Sequence, residues 1–213
     1  MRTGVSIWSI HPYMLNQEWN HEDFFAFVKE IGAGGVELLT FFLDTDHDVI
    51  DDLEKILLKY DVPIGCFSAS NDFATYDESL FKKGIDDIKR AVTLADRFGV
   101  KVVRIFAGDV KSGMNYEQAK KRIVEGLKTV AEEAEKKKIF LGIENHGRLA
   151  GKSSQVKELI DTVGSDYIGS TFDMGNFILV GEDPIDAYKT LAKHVVHIHA
   201  KDFTKAPDNL EEG

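Results

Sequence analysis

A single cysteine in 213 residues leaves no internal disulfide and no thiolate cluster for a metal. Cys66 therefore reads as a small core residue in a reducing compartment. No window approaches the ~18 uncharged apolar residues of a membrane-spanning helix, and Met1-Arg2-Thr3-Gly4-Val5 opens without an apolar leader. The expectation is a cytoplasmic protein with no membrane partner. Positive charge is outweighed, because 26 Lys and Arg face 36 Asp and Glu; the resulting net charge of −10 repels nucleic acid. Only four prolines occur, and no Pro- or Ser-rich tract divides the chain, so residues 1–213 read as one domain.

What is present is alternation. Short apolar runs of strand type lie at Thr3–Ser9, Gly35–Leu39, Pro63–Ala69, Val100–Ala107, Ile139–Glu144, Tyr167–Phe172 and Val195–His199. Segments of helical period separate them, at His21–Ile31, Val49–Tyr60, Asp77–Phe98, Tyr116–Lys137, Ser153–Val163 and Pro184–Ala192. Strands this apolar, joined by helix-length crossovers, predict an α/β fold with a parallel sheet buried on both faces. Neither Gly-x-Gly-x-x-Gly nor a P-loop follows a strand, which removes the usual signatures of a doubly wound nucleotide-binding sheet. Glu37, Glu144, Asp173 and His199 fall at strand C-terminal ends, where a TIM (β/α)8 barrel carries its chemistry. Seven strands are visible and the eighth βα unit is missing. A longer chain with about 40–70 further residues is the expectation for closure. Unpaired edges otherwise invite a second copy, a homo-oligomer.

Strand period two puts Glu144 on the face of Phe140 and Gly142, Asp173 on that of Gly169 and Thr171, and His199 on that of His197. If these faces look into a barrel, two carboxylates and an imidazole converge. Such an oxygen-rich set suits one divalent metal ion, Mn, Co, Fe or Mg, with Zn also compatible. An acid at a strand end can equally cap the next helix.

The segments Cys66-Phe67-Ser68-Ala69-Ser70-Asn71-Asp72-Phe73, Ile143-Glu144-Asn145-His146-Gly147, Phe172-Asp173-Met174-Gly175-Asn176 and His197-Ile198-His199-Ala200-Lys201-Asp202 occur in this order. Together they resemble the xylose-isomerase-like TIM barrels, the sugar-phosphate isomerase/epimerase superfamily that also holds the apurinic endonucleases. The resemblance implies metal ligation by Glu144, Asp173 and His199. His199 is chosen over His197 because an acid, Asp202, follows it three positions later. The family's fourth ligand, a glutamate after the eighth strand, has no counterpart in this sequence. The implied reaction is proton transfer beside a carbonyl through an enediolate, with Glu144 as catalytic base.

Substrate-contact candidates are His146, Asn176, Arg104, Lys201, Asp202, Glu37 and Trp8. Each also has a structural alternative: Glu37 and Arg104 can pair with polar neighbours inside the barrel, and Lys201 and Asp202 can orient His199. His146 and Asn176 can form turns or caps, and Trp8 can pack. The expected partner is a small carbohydrate, free or phosphorylated, acted on by a metal-dependent isomerase or epimerase. A polyol-ketone dehydratase and a catalytically degenerate sugar-binding barrel are the alternatives. A three-metal endonuclease site would need more histidines than Gly65-Cys66-Phe67-Ser68 and Arg104-Ile105-Phe106-Ala107 offer.

Overall fold

The computed structural model describes residues 3–43 and 47–203. In chain order the elements are β1 (Val5–Ser6), α1 (His11–Leu15), α2 (His21–Glu30), β2 (Val36–Leu39), α3 (His47–Tyr60), β3 (Ile64–Ser68), α4 (Glu78–Arg97) and β4 (Val102–Ile105). Then follow α5 (Tyr116–Lys137), β5 (Phe140–Glu144), α6 (Ser153–Val163), β6 (Ile168–Asp173), α7 (Met174–Leu179), α8 (Pro184–Leu191) and β7 (Val195–His199). The long helices begin where side chains satisfy the free amides of the first turn. Asn20 and Asp23 form a reciprocal capping box on α2, and Asn115 and Gln118 form another on α5. Asp77 and Asp183 cap α4 and α8.

All strand pairs are parallel and the sheet runs in chain order from β1 to β7. A doubly wound sheet would reverse direction at a switch point, so this order is that of a barrel. The sheet is strongly curled. At ~4.8 Å per strand, β2 and β7 would lie about 24 Å apart in a flat sheet, yet Glu37 of β2 hydrogen-bonds His197 and His199 of β7. Between strands and helices lies one continuous apolar core, with Val103, Ile105, Leu141 and Ile143 on the sheet and Ile88, Val92, Ile123 and Leu127 on α4 and α5. Inside the barrel space is tight: a Cβ at Gly142 would collide with Thr171 Oγ1.

Three local departures from the sequence expectation have physical causes. The first strand is two residues long instead of seven, because the Ser6 side chain accepts from Trp8 N and starts a 3-10 turn over Ile7–Ile10. Helices α1 and α7, five and six residues long, are too short to show a helical period. The sixth strand extends one residue further, to Asp173. Residues 204–213, the end of the segment read as lacking an eighth unit, lie outside the described residues.

Candidate metal centre

Glu144 ends β5 and Asp173 ends β6, and both are buried. A polar clamp joins the two strand ends. Asn145 donates from Nδ2 to the Asp173 carbonyl at 2.9 Å, and its Oδ1 accepts from Asp173 N at 2.8 Å. Asn176, in the first turn of α7, donates from Nδ2 to Glu144 Oε1 at 3.2 Å and to the Asn145 carbonyl at 2.8 Å. Asp173 divides its two oxygens between two tasks. Oδ1 caps α7 by accepting from Gly175 N and Asn176 N, both at 3.0 Å. Oδ2 faces the barrel axis side, 2.8 Å from Lys201 Nζ and 3.9 Å from His199 Nδ1. Capping and site-forming, posed as alternatives by the sequence, are thus served by different atoms of one carboxylate.

Glu144 Oε2 lies 3.5 Å from His199 Nδ1 and 3.1 Å from Arg104 Nε. The second contact is an ion pair off the N–H axis, since Arg104 Nε has no aligned hydrogen-bond acceptor. Arg104 also donates to the Ala69 carbonyl at 2.8 Å and stacks on Phe106 at 4.1 Å. Burial pushes the Glu144 carboxyl up, but the His199 hydrogen bond and the Arg104 charge outweigh it and hold it at about 2. Burial and the nearby Glu144 charge keep Asp173 above its ordinary value despite Lys201. His199 is pushed down by burial and up by Glu144 and Glu37, and the carboxylates win, placing it at about 10.

On its other side the His199 ring meets Glu37. Glu37 Oε2 lies 2.8 Å from His199 Nε2 and 2.9 Å from His197 Nε2, while Oε1 accepts from Ser68 Oγ at 2.7 Å and from Ser6 Oγ at 3.3 Å. Glu37 is buried, and these imidazoles, with Arg104, hold its carboxyl well below the usual range although burial opposes them.

The structure therefore brings together Glu144, Asp173, His199, Glu37, Arg104, Asn176 and Lys201 from the sequence candidates. The others lie outside this cluster, although the charge of His146 still reaches Glu144. Asp202 is exposed and accepts from Phe203 N at 2.8 Å, so the orientation of His199 comes from Glu37. Trp8 is half exposed and stacks on His11 with ring centroids 4.3 Å apart. His146 packs on Phe106, centroids 5.0 Å apart, and with Asn71, Asp72, Phe106 and Asp109 lines a small pocket beyond β3, β4 and β5. Asn145, Ser68 and Ser6 escaped the sequence reading. Asn145 and Ser68 did lie in segments that carry the family resemblance, whereas Ser6 had no signal.

Glu144, Asp173 and His199 offer ligand atoms that all lie within 4.8 Å of one another, as do Glu37, His197 and His199. The first set fits a divalent cation better. Ligands ~2.1 Å from a tetrahedral centre stand about 3.4 Å apart, close to the 3.5 Å between His199 Nδ1 and Glu144 Oε2. The 2.8 and 2.9 Å separations in the second set are hydrogen-bond lengths. No helix among the described residues is long and apolar enough to cross a membrane.

The family model described as xylose isomerase-like TIM barrel matches residues 25–212. An inosose dehydratase of Clostridium perfringens is 28% identical over 97 residues, covering 45% of this chain and 32% of that protein. The matches span between 30% and 42% of the lengths of four curated relatives. Among solved structures, a D-tagatose 3-epimerase-like protein superposes with a TM-score of 0.80 at 22% identity, covering 95% of this chain and 76% of the other. The IolI protein with a bound zinc atom gives 0.78 at 19% identity, covering 100% and 77%. At these identities the two structures speak for the fold.

Proposed function

The chain belongs to the xylose isomerase-like TIM barrel family, and from that premise we propose that it is a divalent-metal-dependent enzyme isomerising or epimerising a neutral polyhydroxylated carbonyl compound. The observation that carries the reading is the convergence of Glu144, Asp173 and His199 from three consecutive strand ends. These three residues would hold the cation. When bound, a divalent ion supplies Lewis acidity to a carbonyl oxygen and stabilises the charge developing there.

The chain's own residues supply the rest. Glu144, ionised throughout the physiological range, is free to accept a proton, and its place at the end of β5 beside Asp173 and His199 makes it the base toward the carbon next to the carbonyl. Arg104 and Asn176 grip its two oxygens and fix their direction. Lys201, with its ammonium against Asp173 Oδ2, offsets charge in a cluster of buried acids. The adjoining pocket favours an unphosphorylated substrate: Asp72 and Asp109 line it, and nearby Lys111 is already paired with Asp72 at 2.6 Å. Such a wall hydrogen-bonds hydroxyls and repels phosphate.

A dehydratase reading shares the first step and differs in expelling a neighbouring hydroxyl instead of returning the proton. It is favoured by the matched stretch of inosose dehydratase. The test is solvent deuterium incorporation. Manganese-loaded protein is incubated in D2O with a panel of free ketoses, cyclic polyol-ketones and their phosphate esters. Deuterium at the carbon beside the carbonyl of the neutral compounds, with a new epimer or isomer, is the expected result. An enone product selects the dehydratase. Exchange confined to the phosphate esters removes the neutral-substrate reading, and exchange in none of them removes the function proposed here.

A further inference from the structure

Inside the barrel, one buried carboxylate on β2 meets four donors, and two of them are imidazoles of β7. We propose that Glu37 is the positioning residue of the metal centre: by accepting at Oε2 from Nε2 of His199 and of His197, it fixes His199 as the Nε2–H tautomer. Nδ1, which faces Glu144 and Asp173, is then the nitrogen that gives up its proton to a cation. The inference rests on the metal-centre reading above and adds a residue outside the ligand set.

An imidazole has two nitrogens, and which one is free is set by the hydrogen bond the other makes. For His199 the two directions are separated by the ring. Nε2 points at Glu37 at 2.8 Å, and Nδ1 points at Glu144 and Asp173 at 3.5 and 3.9 Å. Glu37 is itself anchored. Ser68, fully buried, donates to Oε1 at 2.7 Å, and Ser6 adds a longer contact at 3.3 Å, so the carboxylate has little freedom to swing toward the cation. An ionised carboxylate only accepts, so without a cation both ring nitrogens of His199 face acceptors; the 2.8 Å contact of Nε2 with Glu37 is much the shorter, so Nε2 keeps its proton when a cation takes the Nδ1 side. His197 is held by the same oxygen, its ring nearly perpendicular to that of His199 at 84°. That leaves His197 as a second donor to Glu37, and its Nε2 is occupied in the same way. Carboxylates in this relation to a ligating histidine typically change metal affinity about 10- to 100-fold.

The first measurement needs no variant. In zinc-loaded protein with 15N-labelled histidine, long-range proton–nitrogen correlations report which His199 nitrogen carries the proton. The proposal expects the proton on Nε2 and the metal on Nδ1; metal on Nε2 overturns it. The second measurement is zinc affinity by chelator competition for Glu37→Gln, with zinc stoichiometry at saturation. The expected result is one zinc per chain in both proteins and affinity about 10- to 100-fold weaker in the variant, recovered at least in part by Glu37→Asp. Equal affinities overturn the positioning role while leaving the metal centre in place. Two zincs in the wild type and one in Glu37→Gln would make Glu37 a ligand of a second ion and overturn the proposal. No zinc in the wild type overturns both the proposal and the reading beneath it.

Discussion

The ends of β5 and β6 and the end of β7 contribute to one cluster but are held in opposite ways. On the β5–β6 side, Asn145, Asp173 and Asn176 brace one another through backbone and side chain across adjacent strands, within 32 residues of Glu144. On the β7 side, His199 takes its orientation from Glu37, which is 162 residues earlier in the chain and five strands away. Burial follows the same division: β6 is buried throughout, while β7 is half-buried with Ile198 exposed. A neighbouring clamp makes a rigid pair of acids, and a cross-barrel contact aims the imidazole at them.

Asp173 tests the first half most severely. Asp173→Asn keeps an acceptor for the α7 cap and removes the charge; the expected outcome is a folded chain without stoichiometric metal, read by circular dichroism and elemental analysis. Asp173→Ala loses the cap as well, with about 1 kcal/mol of further destabilisation. A metal-replete Asp173→Asn protein would break the comparison, because the clamp would then be purely structural.

The contacts joining the two halves set a pH dependence for the metal-free chain. His199, raised to about 10 from an ordinary 6.5, contributes stability that is complete below about pH 6.5 and is lost as pH rises toward 10. Glu144, lowered to about 2 from 4.5, contributes stability that is complete above about pH 4.5 and is lost as pH falls toward 2. With chelator present, this pair gives its greatest resistance to urea between about pH 4.5 and 6.5. Glu144→Gln should abolish the acid slope and flatten the alkaline one, and an unchanged alkaline slope would mean that His199 owes its raised value to Glu37 alone.

Asn145→Ala leaves the Asp173 amide and carbonyl without their buried partners, which should cost about 2–6 kcal/mol in urea unfolding. Ser68→Ala removes one buried hydrogen bond to a charged group and should cost about 1.5–3 kcal/mol. Ser6→Ala removes only the 3.3 Å contact and should cost below about 1 kcal/mol. Should Ser68 matter more than Asn145, the division between a locally braced pair and a remotely aimed imidazole would be reversed.

Much of this was legible in the sequence. Tyr116–Lys137 and Ser153–Val163 match α5 and α6 residue for residue, because an apolar helical period is written locally. The convergence of Glu144, Asp173 and a histidine of β7 followed from strand period and barrel order, and the choice of His199 over His197 from the family resemblance. What escaped depended on contacts between distant strands. Glu37 was placed at a strand end, but nothing near it in sequence indicates that its neighbours are Ser68 and two histidines of the last strand. Likewise Asp202, close to His199 in sequence, was a natural choice to orient it, yet the chain turns it outward while Glu37 reaches across.

The hydrogen bonds from Glu37 to His197 and His199 also make the site a kinetic marker. Their sequence separations of 160 and 162 residues place them among the most non-local hydrogen bonds of the described residues, and such contacts form only after a large loop entropy has been overcome. The paired acids of β5 and β6 can assemble early from neighbouring segments, but the His199 imidazole is aimed at them only when the sheet has curled far enough for β2 to meet β7. In a refolding experiment with a cation-responsive dye, ion capture should therefore lag behind helix formation and coincide with the slowest phase. The metal centre would then time the moment at which the two ends of the sheet find each other.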